Sequence, residues 1–131
     1  MGSHDTHWLK ENLTASQTNA TMSLLGYTTE TEYVCPFPLI IARLKAVLTE
    51  PRTAGTLTIT IMKNGVALAI PAPFTFDATN PQLRDIVLDP SLATLFQLGD
   101  RLKPVITTDA AWLPVTSDLL LIPTLARPYG P

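Results

Sequence analysis

Apolar and polar residues alternate along much of this chain with a period of two. The clearest stretch is Thr56–Lys63, where Leu57, Ile59 and Ile61 point one way and Thr56, Thr58 and Thr60 the other. Successive side chains of a strand lie on opposite faces, so this pattern marks a strand with one buried face. Asn64-Gly65 follows, a dipeptide that accepts the two positive φ angles of a type I′ turn, and Val66–Ile70 returns as the partner strand. Leu39–Thr49 alternates as well. Ile40, Ala42, Leu44, Ala46 and Leu48 share one face, and Arg43, Lys45 and Thr49 the other. A helix competes for this stretch, but the prolines ahead of it and the placement of its charges favour a strand.

Shorter runs fill the rest. Ala20–Tyr27 and Thr31–Cys35 are β-prone around a polar turn at Thr28-Thr29-Glu30. Phe74–Phe76 and Leu83–Leu88 read as strands separated by the turn Asp77–Pro81. Asp89-Pro90-Ser91 is expected to cap a short helical turn that runs through Gln97 and ends at Gly99. Arg101–Thr108 is a strand that contains Pro104, a residue expected at an edge or a bulge. Asp118–Ala126 is apolar on both faces, with Leu119, Leu121 and Leu125 against Leu120 and Ile122, which predicts cover on both sides.

About eight short strands at this spacing predict an all-β domain, an antiparallel β-sandwich of jelly-roll type, over residues 20–126. Residues 1–19 have weak periodicity and read as an N-terminal arm, mobile alone, with Trp8, Leu9 and Leu13 as the points by which it docks on a neighbouring subunit. Residues 127–131, Arg-Pro-Tyr-Gly-Pro, form a tail that cannot continue a sheet.

Composition adds one thing to this picture. Charged residues make up only 15% of the 131 positions, against roughly 25% in soluble domains. A small domain so poor in charge is expected to hide apolar area against copies of itself or a partner, so Leu120, Ile122 and Trp112 join the arm residues as candidate contacts. The basic residues are scattered, which argues against a nucleic-acid partner. No apolar run approaches the ~20 residues of a membrane span, and no basic, then apolar leader opens the chain. Cys35 is the only cysteine, so no intramolecular disulfide forms. Assembly in a reducing cytoplasm and a passive core thiol are expected.

Chemistry is harder to find. His4 and His7, with Asp5 between them, are the only histidines and form no metal set. No nucleophile elbow, phosphate loop or zinc-protease motif occurs, and no cofactor is implied. Asp77, Asp85, Asp89, Asp100, Asp109 and Asp118 stand mostly in turn contexts, where a carboxylate caps backbone N–H groups instead of catalysing. Trp112 lies in a loop, either exposed as an anchor for a sugar or an interface, or folded over the end of the core. The reading is a non-enzymatic structural or binding domain.

Four stretches carry a resemblance: Arg52-Thr53-Ala54-Gly55-Thr56-Leu57-Thr58-Ile59 leading to Lys63-Asn64-Gly65, then Asp77-Ala78-Thr79-Asn80-Pro81-Gln82, Gly99-Asp100-Arg101-Leu102, and Thr107-Thr108-Asp109-Ala110. Together they resemble a β-sandwich domain of virion structural proteins of tailed bacteriophages, of the capsid-decoration and fibre type, from about Leu13 to Ala126. The sequence departs from that pattern at Leu83–Phe96, which is longer and more apolar, and at Pro104. The resemblance implies a non-enzymatic homotrimer on the virion exterior, assembled in the host cytoplasm. Its first expected role is capsid decoration, a cement protein that clamps subunits of the major capsid protein or another virion protein. The alternative is a fibre or receptor-binding module that contacts host-surface glycans. A free-standing carbohydrate-binding or hydrolytic sandwich is a third reading, and it would need a converging acid pair.

Overall fold

The computed structural model describes residues 3–25, 31–68, 74–88 and 95–128, and among them it holds strands and no helix. Two antiparallel sheets face each other. Sheet I runs β10 (Leu83–Val87), β6 (Leu39–Leu48), β13 (Leu119–Ala126), β2 (Trp8–Lys10) and β4 (Ser23–Leu24). Within it β1 (Ser3–Asp5) also pairs β13 and β11 (Leu95–Phe96) also pairs β6. Sheet II runs β3 (Ala20–Thr21), β12 (Arg101–Thr108), β7 (Leu57–Lys63) and β8 (Val66–Ala67), with β5 (Tyr33–Val34) on β12 and β9 (Thr75–Phe76) on β7. This is the expected all-β sandwich with jelly-roll connections.

The alternation in the sequence sets the core. Leu57, Ile59 and Ile61 of β7 meet Leu44, Ala46 and Leu48 of β6 and Leu119, Leu121 and Leu125 of β13 in one apolar cluster. The hairpin also forms as read: Asn64 and Gly65 have φ of 52° and 83°, and Leu68 N–H donates to Ile61 O.

One face of β6 differs from its pattern. Thr124 of β13 pairs Arg43 and Leu125 pairs Ile41, so Ala42 is left over as a bulge. The bulge flips the phase of the strand. Leu39 and Ile41, not Ile40 and Ala42, therefore join the core cluster.

β12 and β13 each carry a proline inside their sheet, and each proline faces a gap between two short neighbouring strands. Arg101 O accepts from Asn64 N on the β7 side, so by alternation the missing N–H of Pro104 points away from β7. There β5 stops opposite Leu102 and β3 begins opposite Val105. Pro123 O accepts from Thr6 N, so its nitrogen also points to the N-terminal side, where β2 ends opposite Leu121 and β1 begins opposite Thr124. Pro104 thus lies in a central strand and not at an edge or bulge. It costs no ladder bond among the described residues, because none of them pairs with it on that side.

The N-terminal segment corrects the expectation of an arm. β1 and β2 pair with β13, and Trp8 and Leu13 are fully buried in this chain's own core. Trp8 Nε1 donates to the buried Thr6 Oγ1 at 2.9 Å, which satisfies the indole inside the core. Residues 20–24 then close one side of the sandwich. Ala20-Thr21 pair β12 of sheet II, Ser23-Leu24 pair β2 of sheet I, and Met22 between them is fully buried. The N-terminal residues are part of the sandwich.

The helical turn expected through Gln97 is replaced in part by β11, which puts Phe96 into the core. Residues 89–94 lie outside the described residues, as do the strand ends expected at Gly26-Tyr27 and Ala69-Ile70.

Candidate interaction surface

The outer face of sheet I gathers apolar residues without full cover into one row, while Val34, Val66 and Leu98 are exposed singly elsewhere. Register places Leu83, Val47, Leu120 and Leu9 side by side in one row across four strands. Leu83 is 52% exposed, and the other three are half-buried. Ile122, two residues beyond Leu120 on the same face, is also half-buried and pairs with Lys45, which in turn pairs with Asp85. In the next row Val87, 74% exposed, pairs with Arg43, then come Thr124 and Asp5. An outer sheet face usually presents polar residues to water. This one presents an apolar row flanked by a charged one.

Among the described strand residues it carries Arg43, Lys45, Asp85 and Asp5, and Asp118, just ahead of β13, continues the same face by alternation. Arg43 Nε donates to Asp85 Oδ1 at 2.7 Å and Nη2 to Oδ2, a two-point pairing across β6 and β10. The hydrogen bonds from Arg43 hold the Asp85 carboxyl below the usual carboxylate range, and Asp85 in turn raises the Arg43 guanidinium.

Of the residues singled out from the sequence, the structure brings Leu9, Leu120 and Ile122 together on this face. It takes Trp8 and Leu13 away from it, into the core. Trp112 goes there too, with 1% exposed. A dense set of bonds fixes its loop. Leu113 N donates to Ala54 O at 3.0 Å, Thr53 N to Leu113 O at 3.0 Å, and Asp109 Oδ2 accepts from Thr56 N at 3.0 Å. Gly55 lies so close that an added Cβ would sit 2.4 Å from Trp112 N. The apolar tips that this loop offers to solvent are Leu113 and Val115, at 49% and 44% exposed. Leu83 and Val47 were missed as surface candidates, because only the register of β10 on β6 places them beside Leu120.

Asp77, Asp100 and Asp109 serve turns, Asp118 ties the N-terminal segment to β13, Asp85 pairs with Arg43, and Asp89 lies outside the described residues. Asp77 Oδ1 accepts from Thr79 N and Asn80 N, each at 3.0 Å. Asp100 accepts from Asn64 Nδ2 at 3.0 Å and Gln97 N at 2.8 Å, bonds that lower its carboxyl pKa. Asp118 Oδ1 accepts from Asn12 N at 2.9 Å. Among the described residues no group of three or more His, Cys, Asp or Glu side chains gathers as for a metal ion.

Cys35 is 1% exposed, and burial, with Asp100 nearby, pushes its thiol up to about 11. It is therefore a thiol and not a thiolate at neutral pH, and a poor nucleophile. We expect Cys35→Ala to cost roughly 1–2 kcal/mol in lost burial by urea melts. Thiol reagents should label the folded wild type no faster than it opens. Labelling at the rate of a free thiol would contradict this.

No protein-family model matches the chain, and no curated protein does. Among solved structures it is similar to the globular domain of a zebrafish complement 1qA protein, at 12% identity and a TM-score of 0.45, over 97% of this chain and 98% of that one. It is also similar to GITRL from bushbaby, at 12% identity and a TM-score of 0.35, over 95% and 96% of the two chains. Likenesses at this level bear on neither function nor partner, and the fold assignment stands on the strand pairings themselves.

Proposed function

We propose that this chain is a non-enzymatic structural protein of a tailed-bacteriophage virion. In this reading it self-associates as a homotrimer through the outer face of sheet I and decorates the capsid, clamping neighbouring capsid subunits. The observation that carries self-association is the row Leu83–Val47–Leu120–Leu9 with Ile122 beside it. Fully burying such a side chain is worth about 1.5–3 kcal/mol. A further copy of the chain suits the face because it carries both cations and anions, which opposite charges on a neighbouring copy can pair. The virion assignment leans on the turn motifs that resemble phage decoration and fibre domains. Engagement of Asp77, Asp100 and Asp109 in turns and of Asp85 with Arg43 supports a role without catalysis.

The fibre reading loses its anchor, because the Trp112 ring lies in the core and offers no face for a sugar. Sedimentation at micromolar concentration tests self-association, and binding to capsids that lack the protein tests decoration. Ile122→Lys should give a folded monomer, since an unpaired charge in a buried interface is strongly destabilising. It should leave circular dichroism unchanged, because this side chain faces outward. A wild type that sediments as a monomer would overturn the proposed assembly, and a trimer that ignores capsids would overturn decoration.

A further inference from the structure

We infer that Asn64 is a modification site at which the side-chain amide turns into a carboxylate, and that the new charge loosens this end of sheet II. Gly65 N attacks Asn64 Cγ, Nδ2 leaves as ammonia with the proton of the attacking N–H, and a cyclic imide remains. Water then opens the ring at Cγ to give aspartate, or at the Asn64 carbonyl carbon to give isoaspartate, with no oxidant or reductant involved. The chain carries four asparagines, and Asn64 alone meets the requirements of this reaction. Lys63 pairs with Val66, so Gly65 N belongs to the two-residue loop between them, where a type I′ turn leaves it unbonded. Asn64 and Gly65 are both exposed, the space where a Cβ would stand on Gly65 is empty to 4 Å, and no side chain shields the nitrogen. At the other three asparagines the following nitrogen is held or has no proton. Leu13 N donates to Ser117 O at 3.0 Å, Ala20 is paired in β3, and Pro81 has no N–H.

The amide holds the end of the sheet together. Asn64 Nδ2 donates to Asp100 Oδ1 at 3.0 Å, and Asn64 Oδ1 accepts from Arg101 N at 2.9 Å. That second bond also polarises the carbonyl under attack. The backbone N of Asn64 donates to Arg101 O at 2.9 Å, and Cys35 N donates to Asp100 O at 2.9 Å, so one short segment ties the hairpin to the buried cysteine. Conversion to aspartate replaces the donor by an acceptor and sets one carboxylate against another at hydrogen-bond distance. Neither has a proton to share at neutral pH, and like charges so close repel. Lys63 Nζ, 3.6 Å from Asp100 Oδ2, balances one of the two charges and leaves the other. Isoaspartate adds a carbon to the main chain as well, which a two-residue loop cannot absorb without shifting the strands it joins.

The experiment holds the whole protein at pH 8, checks by circular dichroism that it stays folded, and follows all four asparagines by peptide mass spectrometry. We expect Asn64 to convert at least about tenfold faster than any of the others, since it alone is followed by an unshielded nitrogen. Asn64→Asp, which stands for the main product, should melt at a lower urea concentration than wild type at pH 7. A thiol reagent should label Cys35 in it several times faster than in wild type. Adding Asp100→Asn to that variant should restore both readings, because the donor returns from the opposite side of the pair. Asn64 converting no faster than Asn12 or Asn19 would overturn the site. Asn64→Asp melting and labelling like wild type would overturn the effect of the charge on the sheet.

Discussion

Trp8→Ala is expected to destabilise the domain by about 3–5 kcal/mol, the cost of removing a large aromatic from a packed core. That is a large part of the roughly 5–15 kcal/mol that holds a domain of this size together. Trp8 is fully buried, its indole N–H is bonded to Thr6, and its backbone pairs with Leu121 on one side and Leu24 on the other. The loss should appear as a fall in the urea midpoint. Deleting residues 1–19 removes Leu13 along with Trp8 and strips β13 of its outer neighbours, so the truncated chain should not fold. A truncated protein with a native β-sheet spectrum and a cooperative melt would show that these residues are an accessory arm after all.

Gly55→Ala should destabilise the domain by about 2–4 kcal/mol, from the left-handed backbone and overpacking together. Gly55 has φ +76°, and an added Cβ would fall 2.4 Å from Trp112 N and 2.5 Å from Asp109 Oδ1. Much of what it meets is backbone and cannot swing away. Gly65 is the control. It has φ +83° with nothing within 4 Å, so Gly65→Ala meets only the conformational penalty, about 1 kcal/mol. Melting temperatures of the two variants compared side by side test the packing part alone. Equal losses would mean that the Trp112 loop yields to make room.

The two substitutions also mark where sequence patterning succeeds and where it stops. The hairpin at Asn64-Gly65 was legible because both strands alternate and the turn dipeptide has one favoured geometry. The buried N-terminal segment was not. β1 and β2 are three residues each, too short to display a period of two, and their partner β13 lies at the other end of the sequence. The crossing between β2 and β3 bends through positive φ at Asn12, Ser16 and Asn19, and its polar composition reads as disorder although Leu13 caps the core. The bulge at Ala42 leaves no local mark either. It appears only when β6 is set against β13. Of the surface, Leu120 and Ile122 were readable from a strand apolar on both faces. Val47 and Leu83 were not, because a row across four strands exists only in the register.

The placement of β13 between β6 and the N-terminal strands has a kinetic consequence. Sheet I is complete only when segments as far apart as Asn12 and Asp118, 106 positions along the chain, have met. Closing so long a loop costs entropy before any pairing repays it. Sandwiches dominated by such non-local pairings fold in roughly milliseconds to seconds, well behind helical domains of equal length. Throughout that interval the apolar lengths of β6 and β13 stand open with few charges to keep two chains apart. Folding in this protein is thus a race between a distant intramolecular partner and a nearby strand of another molecule, and dilution favours the first.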